Sequence, residues 1–318
     1  FYSFLKNDFP HTTTPKQDIA LQLLAKFVLG TNKNETFLLK GYAGTGKTTI
    51  VGSLVKNLSK VKKRSVLLAP TGRAAKVISN YSNKQAFTIH KKIYFPKSEK
   101  GSVSFNLQQN KHRDTIFIVD EASMIPDINQ DSKLFENGSL LDDLMQYVYS
   151  GNNCRLLLIG DSAQLPPVYL DISPALDSHL LENQYNREVI KLELDEVVRQ
   201  QKDSGILENA TRIRERLEDE LYGAFKFSEV NFPDIIRPTD GQEIMDAISD
   251  SYSSLGNEDT VIIVRSNKRA NLYNQSIRER ILFQESELSA GDYLMVVKNN
   301  YFWVDNTSEA GFIANGDI

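Results

Sequence analysis

Several short runs of this 318-residue sequence are apolar almost without alternation: TFLLKG (36–41), SVLLAP (65–70), TIFIVDEAS (115–123) and RLLLIGD (155–161), with VIKLEL (189–194) after them. A strand with one wet face alternates apolar and polar residues. Runs like these need cover on both faces, which a parallel sheet flanked by helices provides. Helical spacing falls between them. PKQDIALQLLAKFVL (15–29) carries apolar residues at 19, 20, 23, 24, 27 and 28, with Thr14 as N-cap and Pro15 at the first helical position. Residues 47–58 and GRAAKVISNY (72–81) read as further helices. The pattern predicts an α/β fold built on a doubly wound parallel sheet. Its unusual residues lie in the loops at the carboxyl ends of the strands, where such sheets hold ligands.

GYAGTGKTT (41–49) joins the first of these strands to the helix after it, and matches G-x-x-x-x-G-K-[ST] in the context that pattern requires. Gly41, Ala43, Gly44, Thr45 and Gly46 then form a loop whose N–H groups wrap phosphate oxygens at a helix N-terminus. Lys47 reaches the β- and γ-phosphates, and Thr48, followed by Thr49, offers a hydroxyl to Mg²⁺. Asp120, at the end of IFIV, suits the same ion, and Glu121 suits the attacking water. LLLIGDSAQLPPV (156–168) ends on an acid and an amide that a plain turn does not need. Gln164 has both a donor and an acceptor with which to sense a γ-phosphate, and Asp161 holds either the loop or the metal's water shell. The reading is a P-loop NTPase that uses ATP and Mg²⁺.

The net charge of −4 and a pI near 5.7 give no global basic signal, so a nucleic-acid partner must meet local positive surface. The single Cys154 excludes an internal disulfide and a cysteine-cluster metal site, and suits a reducing compartment. No run approaches the ~20 apolar residues of a membrane span. The opening FYSFLKNDFPHTTT has no signal-peptide pattern and no initiator Met, and reads as a trimmed end. Residues 92–113 are polar and partly alternating, and predict a small hairpin insertion. Its Tyr94, Phe95 and Phe105 either meet a base pair or form a small core. KVKKR (60–64) reads as a solvated helix end. After a helix-like and then irregular stretch over 200–245, TVIIVRSN (260–267) restarts the strand signal and KRANLYNQSIRERI (268–281) follows as a helix. The expected organisation is a first domain over 1–194 with the insertion at about 92–113, and a second, partial domain over 195–318.

In this order, GYAGTGKTT, APTGRAAKVI, TIHKKI, IVDEASM, IGDSAQLPPV and LDEVVRQ resemble the superfamily 1 DNA helicases, closest to the RecD-like 1B branch that includes the Pif-type and phage Dda-type enzymes. The resemblance is strong over about 12–200 and weaker over 260–318. It implies two RecA-like domains, the second partial, and an ATP-driven motor moving 5′→3′ on single-stranded DNA to separate strands in repair, recombination or replication. It implies that Gln17 reads adenine, that Lys47, Glu121 and Gln164 form the ATPase core with Asp120, and that Arg199 reaches the γ-phosphate. Pro70, Thr71, Gly72 and Arg73 resemble the segment that grips the strand backbone. Thr88 and His90 resemble the next DNA-contacting motif, and Asn267 and Arg269 the start of the second motor domain. The hairpin matches a strand-separating pin. The implied partners are single-stranded DNA and a duplex fork, with no membrane, for a monomer in a cytoplasm of bacterial or phage-like context. The chain stops at AGFIANGDI, short of two further family motifs, so the expectation is a piece that binds ATP without unwinding. The alternatives are a P-loop ATPase that serves as a nucleotide-dependent switch or scaffold, and, more weakly, a small-molecule kinase.

Overall fold

The computed structural model describes residues 1–99, 102–127, 138–196, 204–297 and 313. The chain divides into two compact units, Phe1–Gln200 with Met295–Ile318, and Gln201–Leu294. The first unit runs α1 (Tyr2–Asn7), α2 (Pro15–Leu29), β1 (Glu35–Gly41), α3 (Lys47–Asn57), β2 (Arg64–Ala69), α4 (Gly72–Ser82), β3 (Ala86–Thr88), α5 (Ile89–Ile93), β4 (Tyr94–Glu99), β5 (Ser102–Leu107), β6 (Thr115–Val119), α6 (Leu140–Ser150), β7 (Arg155–Gly160), α7 (Ser178–Tyr185) and β8 (Glu188–Leu194). The second holds α8 (Gly205–Glu218), α9 (Gly241–Ser254) and α10 (Asn267–Arg280).

Six strands form one sheet in the order β3-β2-β6-β7-β1-β8, and every neighbouring pair is parallel. Each face has its own core. Phe37, Leu39, Ile116, Ile118, Leu157 and Ile159 face α2 and α3, whereas Leu38, Phe117, Val119, Leu156 and Leu158 face α6. Successive residues of a strand point to opposite faces, so two cores demand two apolar sets. That is why β6 and β7 show no alternation. The doubly wound parallel-sheet architecture expected from the sequence is the one observed in the first unit.

Arg155, which opens β7, is 1% exposed. Its guanidinium donates to the carbonyls of Phe27 and Gly30, lies 3.4 Å from a Glu35 carboxylate oxygen, and stacks 5.5 Å from the centre of the Phe27 ring. The last carbonyls of a helix lack internal partners. Arg155 supplies one for α2 and joins that helix end to the starts of β7 and β1. Nothing in the sequence singled it out.

The insertion is a hairpin: β4 and β5 pair antiparallel, with Tyr94 opposite Leu107 and Phe95 opposite Asn106. Tyr94 and Phe105 are 5% and 4% exposed and belong to the core on the α6 face, whereas Phe95 is 43% exposed. The Tyr94 hydroxyl donates to buried Asp143 of α6 at 2.5 Å and anchors the hairpin's root. Of the two uses open to these rings, Tyr94 and Phe105 take the core one. KVKKR lies at a helix end, where Lys63 pairs with Asp114 at 3.2 Å.

The second unit departs from expectation. Among its described residues there are helices and no strand, and the strand expected over 260–267 does not form. A strand is stabilised by ladder partners and side-chain cover. Val261 and Ile263, 76% and 91% exposed, have no such cover. The helix after them does form, as α10.

Replacing Arg155 with Met should lower the urea-unfolding free energy by about 3 kcal/mol, since it strands two carbonyls and a carboxylate in a buried site. Lys should recover little, because an ammonium cannot span the fork of acceptors. A loss below about 1 kcal/mol for Arg155→Met would contradict the anchoring role.

Candidate nucleotide site

Strands β6, β7 and β1 are consecutive in the sheet and parallel, so their carboxyl ends share one edge. β1 delivers Gly41 and the loop after it, β6 delivers Asp120 and Glu121, and β7 delivers Asp161. The loop is a nest: Gly44 and Gly46 have φ of 80° and 91°, in the left-handed region where glycine alone is at ease. Gly46 caps α3, which begins at Lys47. A Cβ on Gly46 would sit 2.5 Å from Gln17 Nε2, and one on Gly41 would sit 2.8 Å from Thr45 Oγ1, so the loop closes only around bare backbone.

Lys47 turns its ammonium onto the carbonyls of Gly41 and Tyr42, at 2.5 and 2.9 Å, and lies 4.0 Å from Asp161. Burial pulls its pKa below the ordinary lysine value, while the Asp161, Glu121 and Asp120 carboxylates hold it up. Burial raises Glu121 above the ordinary range, and Asp120 adds to the rise against the pull of Lys47 and a hydrogen bond from Gln164. Glu121 has a left-handed φ of 53°. A raised carboxylate beside a lysine is suited to general-base work.

Each remaining residue of the cluster has a definite partner. Asp161, 5% exposed, accepts from Ala163 N at 2.9 Å and so holds its own loop, one of the two uses open to it. Ser123 donates to Gln164 Oε1 at 3.3 Å, while Gln164 itself is exposed. Tyr81 of α4 donates to Asp120 Oδ2 at 2.7 Å, and Glu121 N to Asp120 Oδ1 at 3.0 Å. Burial, then Asp120, raises the Tyr81 phenol well above the ordinary tyrosine range, so it stays a donor. Sequence reading missed Tyr81. The signal was its spacing three residues after buried Ile78, which turns an aromatic with a polar tip inward.

Gln17 is buried, and both ends of its amide are engaged. It accepts from Thr14 N at 3.1 Å in a capping box and donates to the Thr45 carbonyl at 2.9 Å. Thr48 is exposed at the start of α3 and lines a groove of about 700 Å³ with Thr49 and Tyr81. Hydroxyl and carboxylate oxygens suit a hard divalent ion, and a nest at a helix N-terminus suits phosphate. The residues present therefore fit ATP and Mg²⁺.

The candidate strand-contacting residues of the first unit gather at the other end of the same edge. Ala69 of β2 pairs with Thr88 of β3, which sets Pro70 and Thr71 beside Thr88 and the start of α5. Thr71 caps α4, accepting from Ala74 N at 3.2 Å, and Thr88 caps α5, accepting from Lys91 N at 3.2 Å. Gly72 is buried and Arg73 exposed in the first turn of α4. His90 is half-buried, and burial pushes its imidazole down to about 4. Asn267 and Arg269 lie in the first turn of α10, in the second unit, where Ser266 accepts from Arg269 N at 3.3 Å. Arg199 lies outside the described residues.

Residues 26–170 match a family model described as an AAA domain, AAA_19. The ATP-dependent DNA helicase dda of Enterobacteria phage T4 is 25% identical over 83% of this chain and 56% of its own length. The ATP-dependent RecD2 DNA helicase of Deinococcus radiodurans is 31% identical over 41% of this chain and 16% of its own. Among solved structures, a Pif1 from Bacteroides sp. in complex with ADP-AlF4 is 18% identical, with a TM-score of 0.44, over 83% of this chain and 56% of its own. The chain spans 13–63% of the length of the first curated relatives it matches. The family model and the two helicase relatives bear out the resemblance carried by the ordered motifs. No described helix is long and apolar enough to cross a membrane.

Gly46→Ala should destabilise the protein by about 2 kcal/mol or more, from the positive φ and the clash with Gln17. Combining it with Gln17→Ala should return part of that loss in urea unfolding; strict additivity would refute the contact. The low pKa of His90 predicts a second effect. The unfolded chain takes up that proton first, at about 6.5. The contribution is therefore complete above about 6.5 and lost as pH falls toward 4. His90→Gln should flatten the melting-temperature curve between those pH values, and an unchanged curve would count against the lowered pKa of His90.

Proposed function

We propose that this chain, a superfamily 1B helicase-like protein, carries the ATP-hydrolysing part of a DNA translocase that moves 5′→3′ on single strands and parts a duplex fork. The carrying observation is the single sheet edge on which the β1 loop, Asp120–Glu121 and Asp161 converge, with a second polar set at the ends of β2 and β3. The family resemblance supports the assignment of strand, polarity and direction.

In this reading the loop amides and Lys47 bind the β- and γ-phosphates, Lys47 exchanging two loop carbonyls for phosphate oxygens. Thr48 and Asp120 hold Mg²⁺, which neutralises charge on the phosphates. Glu121, raised by burial and by Asp120, orients the attacking water and takes its proton. Gln164 senses the γ-phosphate through the loop that Asp161 and Ser123 hold in shape. Gln17 reads the base on exchanging its bond to the Thr45 carbonyl. Arg199 is proposed to complete the γ-phosphate shell, and Arg73, Thr71, Thr88 and His90 to grip the strand, with Asn267 and Arg269 serving the second domain. Repair, recombination and replication all fit such a motor.

Steady-state ATP hydrolysis with and without single-stranded DNA tests the reading. DNA should stimulate turnover, and Glu121→Gln should lower it by about 10²–10⁴-fold while nucleotide still binds. Arg73→Ala should weaken strand binding across sequences and reduce its salt dependence. Nucleotide binding with flat turnover would favour the switch or scaffold reading instead. Equal unwinding of 5′- and 3′-tailed duplexes would remove the assigned polarity.

A further inference from the structure

None of the sequence motifs takes in Tyr81, although among the described residues it is the side chain of another element that donates a hydrogen bond to Asp120. Its hydroxyl holds Oδ2 at 2.7 Å while Glu121 N holds Oδ1 at 3.0 Å, so each carboxylate oxygen has a donor and the group cannot turn about its own bond. Tyr81 also lines the groove that contains Thr48, the other oxygen donor assigned to the divalent ion. The two helices are neighbours there: a Cβ on Gly52 of α3 would lie 3.8 Å from the Tyr81 carbonyl of α4, in ordinary contact. The hydroxyl therefore reaches Asp120 from a helix seated directly on the one that carries Thr48.

We propose that Tyr81 is a positioning residue for the divalent ion: its hydroxyl holds the Asp120 carboxylate in the orientation that the ion bound with nucleotide requires. The inference rests on the assignment of Asp120 as a metal contact. A purely packing role would be served by the ring alone. A metal-orienting role needs the hydroxyl, because partners that orient a ligand typically change metal affinity by 10–100-fold when removed.

The test is binding of a fluorescent, non-hydrolysable ATP analogue to the full chain, in EDTA and in Mg²⁺. The readout is the ratio of the two affinities for wild type, Tyr81→Phe and Asp120→Asn. Tyr81→Phe should match wild type in EDTA and lose about tenfold of the Mg²⁺ enhancement. Asp120→Asn should lose most of it. If Tyr81→Phe keeps the full enhancement while Asp120→Asn loses it, the positioning role is overturned and the metal assignment stands. If Tyr81→Phe weakens binding equally in both media, the residue acts through packing and the proposal again fails. If Asp120→Asn keeps the enhancement, or wild type shows none, the metal assignment fails and takes this inference with it.

Discussion

The structure depends on covering a parallel sheet from both sides. With an apolar set on each face, β6 and β7 can lie only in the middle of three layers. Parallel pairing then sends every strand end to one edge, and the order β3-β2-β6-β7-β1-β8 decides which ends are neighbours. Because β6, β7 and β1 are adjacent, acids some forty residues apart in sequence, Asp120 and Asp161, flank a single loop. The ends of β2 and β3 lie beyond β6, which separates the second polar set from the first without a second sheet.

Electrostatics follows from that packing. One lysine faces three carboxylates in a site where burial works against the charges of Lys47 and Glu121. Desolvation draws Lys47 down against the three carboxylates that hold it up, and pushes Glu121 up with Asp120 adding to the rise. Two of the carboxylates accept local hydrogen bonds: Asp161 from Ala163 N, and Asp120 from Tyr81 and Glu121 N. Such a cluster is poised for a polyanion with its own cation. The phosphates would satisfy Lys47 and the loop amides, and the cation would satisfy the acids.

Much of this was legible because short motifs with strict backbone demands leave strong traces. The glycines of 41–46 and the acids at strand ends are local signals, and the unalternating runs gave the sheet. What stayed hidden depends on distant pairs. Arg155 looks like a polar strand start until Phe27 and Gly30 are seen to close on it. Tyr81 looks like one aromatic in a helix until β6 brings Asp120 beneath it. Tyr94 and Phe105 carried two meanings that only the position of α6 could separate. The run over 260–267 misled for the opposite reason. Its apolar residues meet the local criterion for a strand, yet a strand also needs a neighbour, which local sequence cannot report.

The first turn of α2 joins the two ends of this logic. Gln17 donates to the Thr45 carbonyl inside the loop, while the preceding residue, Lys16, donates its backbone N–H to Glu196 at 3.2 Å and its ammonium to Asp195. Asp195 and Glu196 are where the chain leaves β8 on its way to the second unit. The loop and the exit from the first unit are therefore held by adjacent residues of one helical turn, itself braced by the capping box of Thr14 and by Arg155 at the far end of the helix. A rearrangement that frees Gln17 from Thr45 must act on a turn that also anchors the exit. The loop also meets the exit directly, where Tyr42 N donates to the Leu194 carbonyl at 3.3 Å.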